Sequence, residues 1–331
     1  MDITTVADDL IVAHDGPTVH RLEGLAPGTV YDVAGVVVRT LDRPPGELLY
    51  RFATVNDVHF GELECGRIDD HPDGPIQRAA PGEQPYPETM NRAAAAEIRA
   101  SAIDTLVVKG DLSVDGQPHE WAAFEDCYRT AFGDGLHVVR GNHDSYHGQD
   151  EYAGDRWIEL PGVAIALMDT TIPRHSTGHL DDAQLDWLDA HAATADRPVI
   201  VMGHHQQWTD GKRSDGYFGL HPDASDALSA IIERRSRIVA YTAGHTHRHR
   251  VRTLSSGVPS IEIGCVKDFP GTWGEYRVYE GGITQVVHRI STPDALAWSD
   301  RCRHLYSDFG VDYETYALGR LEDRCFTIAL R

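Results

Sequence analysis

From Leu48 onward the chain alternates short apolar runs with longer amphipathic stretches. Leu49–Val55, Thr105–Lys109, Leu136–Arg140, Ala164–Met168, Val199–Met202 and Ile238–Ala243 read as strands. Each is a brief run of apolar and β-branched residues bounded by Gly, Pro, Asp or Asn, the pattern of a strand buried on both faces. Between them, helices are predicted from Pro87 through Ala102, over Glu120–Phe132, over Asp181–His191 with its acidic start, and over Ala224–Arg235. Ile261–Ile263, Tyr276–Tyr279 and Ile283–Val287 make the second half β-rich. Strands alternating with helices predict α/β layers. Residues 61–88 read as a long polar loop rich in Pro, Gly and Asp.

Residues 1–48 stand apart. Leu10–Ala13, Tyr31–Ala34 and Val36–Val38 read as short strands with turn residues between them. The piece LAPGTVYDV, Leu25–Val33, resembles the L-x-P-G-T-x-Y turn and strand of fibronectin type III domains. The segment is too short for a full sandwich of that kind, so a small β appendage is expected. The expected organisation is this appendage over 1–48, a main domain over 49–290, and a C-terminal extension over 291–331 that serves as a cap or closing layer.

With 331 residues, 41% hydrophobic and 24% charged, the chain is of ordinary globular composition. Its formal net charge of −21 disfavours adhesion to nucleic-acid polymers or anionic membranes, which needs clustered Lys and Arg. No apolar stretch approaches the length of a membrane span, and MDITTVADDLIVAHDG lacks the basic and apolar regions of a signal peptide. Five widely spaced cysteines without C-x-x-C read as reduced thiols, so a cytoplasmic location is expected.

Three histidines alternate in YTAGHTHRHR, at His245, His247 and His249. In a chain with 19 His one such close pair arises by chance, so the pair alone decides nothing. The other strand ends supply the rest. Ala53–Val55 is followed by Asn56, Asp57 and His59; Leu106–Val108 by Gly110 and Asp111; Val138–Val139 by Gly141, Asn142, His143 and Asp144. Val199–Met202 is followed by Gly203, His204 and His205, and Ile238–Ala243 by Gly244, His245 and His247. In α/β sheets ligands bind beyond the carboxyl ends of the strands, so these five ends can converge on one place. Carboxylate, amide and imidazole ligands without thiolate suit Mn²⁺, Fe²⁺/Fe³⁺ or Zn²⁺. The set Asp57, His59, Asp111, Asn142, His204, His245 and His247 is too large for one tetrahedral ion. It fits two, with one carboxylate bridging them.

In order, D-x-H, G-D, G-N-H-D, G-H and G-H-x-H resemble the calcineurin-like metallophosphoesterases, over Asp57 to His247. GDLSVDGQPHEWAAF, Gly110–Phe124, is similar to the corresponding stretch of the cyclic-nucleotide phosphodiesterase-like (class III) branch. The protein serine/threonine phosphatases carry G-D-x-V-D-R-G and G-N-H-E instead; this chain has neither that Arg nor that Glu. The resemblance implies a four-layer α-β-β-α sandwich and two metal ions. Asp57, His59, Asp111 and His247 would hold one ion; Asp111, Asn142, His204 and His245 would hold the other. His143 would serve as general acid or hydrogen-bond donor beside the phosphate, oriented by Asp144. Two cations that lower the pKa of a shared water and clamp an in-line displacement would make the protein a phosphodiesterase acting on a small phosphoester, with 3′,5′-cyclic nucleotides in view. A phosphomonoesterase, a glycerophosphodiesterase and a non-catalytic metal-binding scaffold are the alternatives, and a homodimer is left open.

Other residues carry blander readings. His205 is read as packing or as a group behind the ligands, and His249 as an ordinary histidine beyond the motif, with contact to the substrate or to a ligand as the alternative. Phe269, Trp273 and Tyr276 are read as core, with the lining of a base-sized pocket as the alternative. His71 is read as part of a solvated loop, with a capping role as the alternative. Arg248, Arg250 and Arg252 either balance an acidic surface or receive a phosphate. Gln206-Gln207-Trp208 departs from the H-H-P-P continuation of the branch.

Overall fold

A computed structural model describes residues 1–67, 76–208 and 218–330; His71 lies outside the described residues. The strands are β1 Asp2–Val6, β2 Leu10–Asp15, β3 Thr18–Glu23, β4 Val30–Val33, β5 Val36–Arg39, β6 Leu48–Val55, β7 Leu106–Lys109, β8 Leu136–Val139 and β9 Arg156–Leu160. They continue as β10 Val163–Leu167, β11 Val199–Met202, β12 Ile238–Ala243, β13 Arg250–Thr253, β14 Pro259–Glu262, β15 Thr272–Tyr279, β16 Gly282–Arg289 and β17 Phe326–Ala329. The helices are α1 Tyr86–Ala100, α2 Pro118–Phe124, α3 Thr130–Phe132, α4 Asp182–Thr194, α5 Pro222–Arg234, α6 Pro293–Arg301, α7 Tyr313–Leu318 and α8 Leu321–Arg324.

Two six-stranded sheets stack face to face. One has the order β17-β16-β15-β6-β7-β8 and the other β13-β14-β12-β11-β10-β9. Strands β6, β7 and β8 run parallel in the first, and β10, β11, β12 and β14 run parallel in the second. Three apolar layers define four layers of structure. Phe52, Val107, Ile165, Ile200, Met202 and Tyr276 fill the space between the sheets. Met90, Ala94, Ile98, Phe124 and Tyr128 pack α1 and α2 on the outer face of the first. Leu185, Leu188, Leu228 and Ile232 do the same for α4 and α5 on the second. The fold is an α-β-β-α sandwich.

Local chemistry accounts for the helices. Alanines on the buried face of α1 let it lie close to the sheet. A reciprocal pair of bonds between Asp181 and Gln184 starts α4. The helical run predicted over Glu120–Phe132 is continuous but passes through a π-helical turn at Glu125–Arg129 between α2 and α3.

The sequence pattern missed β1, β3, β9, β13 and β17. All five carry polar or charged residues on partly exposed positions, so their apolar period is short and broken. The C-terminal segment does more than lie over the domain: β17 pairs with β16 through Gly282–Ala329 to Gln285–Phe326. The N-terminal strands form a three-stranded sheet and a hairpin. Val6, Ile11, Val12 and Val38 pack there with Val286 and Cys325, and Arg277 Nη1 lies 2.7 Å from both Asp8 Oδ1 and Asp9 Oδ1. Phe269, Trp273 and Tyr276 are core side chains, with Tyr276 stacked on Phe52 at 4.8 Å. Among the described residues no helix is long and apolar enough to cross a membrane.

Candidate metal centre

The carboxyl ends of β6, β7 and β8 in one sheet and of β11 and β12 in the other meet at one cleft of about 540 Å³. It is lined by His59, Asp111, Asn142, His143, His245 and His247, with Tyr146, Phe218, Lys267, Tyr306 and Tyr313 around them. The chain bends sharply after β6, β7 and β12. Asp57, His59, Asp111, His245 and His247 all have positive φ, between 48° and 67°. Residues with a Cβ avoid that region unless the surroundings hold them there, and such outliers cluster at functional sites. The motif glycines are needed for closeness. A Cβ on Gly110 would stand 2.5 Å from His204 Nδ1, and one on Gly244 2.7 Å from Asp57 Oδ2.

Asp111 sits at the centre. Its Oδ2 is 3.5 Å from His59 Nε2 and 3.2 Å from His204 Nε2, and its Oδ1 accepts from the His143 backbone N–H at 2.9 Å. To one side, His247 Nε2 is 3.5 Å from Asp57 Oδ1. To the other, His204 Nε2 is 3.0 Å from Asn142 Oδ1, and the ring centroids of His204 and His245 are 5.0 Å apart. Asp57, His59 and His247 form one group whose donor atoms could share an ion. His204, His205 and His245 form another. His205 thus stands beside the cluster, with its Nδ1 taken by Thr170 Oγ1 at 2.8 Å. His249 is buried and accepts from the Gly264 N–H at 3.1 Å, away from the cleft. Arg248 and Arg252 both engage Glu262, at 2.8 and 2.7 Å.

The protonation chemistry fits a cation. His204 Nδ1 faces the Lys109 carbonyl at 2.8 Å, which can only accept, so this nitrogen carries a hydrogen. Its Nε2 then points between two oxygens, and something positive must sit there, a proton or a metal. Burial pushes the His204 imidazole down, but Asp111 outweighs it and raises the group to about 9. Burial likewise pushes Asp111 up, and His204 and His143 outweigh it, holding the carboxyl well below its usual range. Burial, with Lys267 and His143, lowers His59 to about 4. His59 is therefore neutral, and both of its ring nitrogens are buried without a hydrogen-bond partner; so is Nε2 of His245. Unpartnered imidazole nitrogens beside paired carboxylates suit divalent cations.

Asp144 does a different job from the one the sequence suggested. The His143 ring is not held by it: Nδ1 bonds the Val114 carbonyl at 2.8 Å. Asp144 instead accepts from the backbone N–H groups of Leu112, Ser113 and Gly141 at 3.0, 2.9 and 2.8 Å and from Ser113 Oγ at 2.6 Å. It ties the turn after β7 to the turn after β8. Sequence adjacency pointed to His143, but the intervening backbone turns the carboxylate away from the cleft. Asp268, which lies 3.2 Å from His247 Nδ1, had no signal in the sequence, because only tertiary packing brings it there.

A four-layer sandwich with carboxylates and imidazoles gathered beyond its strand ends defines a class: metal-dependent hydrolases of phosphoric esters. Residues 50–249 match the calcineurin-like phosphoesterase family, and the chain belongs to it. The family acts on phosphoester bonds and uses divalent metals. A probable cyclic nucleotide phosphodiesterase of Synechococcus is 28% identical over 218 residues, covering 62% of this chain and 84% of that protein. A glycerophosphodiester phosphodiesterase of Enterobacter lignolyticus is 26% identical over 161 residues, 44% of this chain and 56% of its own length. In fold, a dimetal phosphatase from Danio rerio superposes with a TM-score of 0.55 at 15% identity, covering 73% of this chain and 97% of that one.

Proposed function

We propose that this protein is a phosphodiesterase of small molecules, with 3′,5′-cyclic nucleotides the leading substrate class, built on two metal ions. The observation that carries the reading is Asp111, placed between two groups of imidazole and oxygen donors. Asp57, His59, Asp111 and His247 would hold one ion and Asp111, Asn142, His204 and His245 the other. Bound there, Mn²⁺, Fe or Zn²⁺ would supply a water of lowered pKa and neutralise charge on the phosphoryl oxygens.

The remaining chemistry belongs to the chain. His143 Nδ1 is fixed on Val114, so Nε2 is the nitrogen free to serve the cleft. In its protonated form Nε2 can donate to the leaving oxygen of a diester, which departs as a poor alkoxide unless a proton reaches it. The cleft has the volume of a nucleotide-sized ligand, and Tyr146, Phe218 and Tyr306 are among the aromatic side chains that line it. Both curated relatives above carry phosphodiesterase names, which supports a diester over a monoester. A glycerophosphodiester is the second substrate of that class, favoured by the Enterobacter relative. The location is expected to be cytoplasmic.

The test compares hydrolysis of bis(p-nitrophenyl) phosphate and p-nitrophenyl phosphate by Mn²⁺-loaded protein, wild type beside Asp111→Ala. A diester preference that disappears in the variant is the expected result, and a screen of cyclic nucleotides and glycerophosphodiesters follows from it. A monoester preference would move the substrate class. An active Asp111→Ala variant would overturn the assignment of the site.

A further inference from the structure

The loop carrying His245 and His247 is gripped from behind by chain that lies well beyond the matched region, which ends at residue 249. The grip comes from α7. Its Tyr316 hydroxyl donates to the Thr246 carbonyl at 3.0 Å, and its Ala317 carbonyl accepts from the His249 N–H at 3.0 Å. Its Tyr313 hydroxyl donates to Asp268 Oδ1 at 2.8 Å. Asp268 is 1% exposed. Its Oδ1 also accepts from Cys265 Sγ at 3.0 Å, and its Oδ2 lies 3.2 Å from His247 Nδ1.

His247 therefore stands with one ring nitrogen on Asp268 and the other facing Asp57. A carboxylate ringed by donors acts as an acceptor. That places the imidazole hydrogen on Nδ1 and turns the Nε2 lone pair into the cluster, the form a metal ligand needs. The His247 backbone is left-handed, with φ of 54°, so the ring depends on its surroundings for its place.

We propose that Asp268 and Tyr313 are positioning residues of the metal centre: Tyr313 fixes Asp268, and Asp268 fixes the orientation and tautomer of His247. The C-terminal segment is then a working part of the site and not only a closing layer. The inference rests on the two-metal reading above, and the experiment separates them. Mn²⁺ is titrated calorimetrically into metal-free wild type, Asp268→Asn and Tyr313→Phe, and each metal-free protein is also melted.

An Asn at 268 can donate to Nδ1 and impose the opposite tautomer. The ion on the Asp57, His59 and His247 side is then expected to bind about 10–100-fold more weakly. Tyr313→Phe, which removes one oxygen, should weaken the same ion by a smaller factor. The second ion should bind as in the wild type, and any loss of metal-free stability should leave both variants folded at the titration temperature. Wild-type binding of both ions in both variants would overturn the inference, as would an affinity loss shared by both ions that tracks lowered metal-free stability. If Asp268→Asn does not fold, Tyr313→Phe decides alone. Wild-type protein that takes up no Mn²⁺ would overturn the two-metal reading and this inference together.

Discussion

His143 and Asp144 are neighbours in the chain with separable roles. The His143 ring takes its orientation from the Val114 carbonyl, and it is not one of the seven proposed metal ligands. His143→Ala should lower kcat on the diester by about 10²–10⁴-fold with metal stoichiometry unchanged, read by steady-state kinetics beside metal analysis. Asp144 faces four donors in a buried site. Burial, then the Asp111 charge, raises its carboxyl to about 6, while those donors favour its ionised form. Asp144→Ala leaves the donors unpartnered. The metal-free protein should lose at least about 3 kcal/mol of stability in urea unfolding, a loss His143→Ala does not share.

Among the elements, the short parallel strands do the positioning. β6, β7 and β12 end where residues in left-handed conformation, Asp57, His59, Asp111, His245 and His247, stand at the cleft, and Asn142 after β8 and His204 after β11 join them without that conformation. The N-terminal strands have a different role. His14 of β2 is buried, with its ring nitrogens on Thr4 Oγ1 at 2.8 Å and Ser291 Oγ at 3.0 Å, and so links the appendage to the C-terminal segment. Burial, then Arg289, lowers its pKa to about 4. Between pH 6.5 and 4 the unfolded chain binds a proton that folded His14 refuses, so stability must fall as pH falls through that window. At pH 4 this amounts to about 3 kcal/mol at most. His14→Gln should remove that part of the decline, so that urea midpoints of wild type and variant converge or cross between pH 7 and pH 4.5. Parallel curves would refute the assignment.

At the scale of the whole molecule, the centre joins the two sheets. Asp57, Asp111 and Asn142 come from one sheet, His204 and His245 from the other, so an ion bound between them ties the halves of the sandwich together. Binding to the folded state alone adds about 2.7 kcal/mol per ion when free Mn²⁺ is a hundredfold above Kd. Excess EDTA should therefore lower the melting temperature of the wild type in calorimetry and leave Asp111→Ala nearly unmoved. An equal shift in both would show that the metal stabilises the fold from some other place. The net charge of −21 need not oppose an anionic substrate, because cations bound at the proposed centre would reverse the field locally.

The sequence by itself determined the layered α/β class, the five strand ends and the residues that stand on them. These are local properties: an apolar run followed by Gly and then Asp, Asn or His is visible in one stretch of chain. The edge strands β9, β13 and β17 were not visible, because their apolar period is broken where solvent reaches them. Only the tertiary structure decided what each polar side chain faces. It turned Asp144 onto backbone N–H groups and gave the His143 ring to a carbonyl. It also brought Asp268 and Tyr313, both beyond the motifs in sequence, to the back of His247. Hydrogen-bond partners separated by tens of residues are chosen by packing, and no spacing along the chain encodes them.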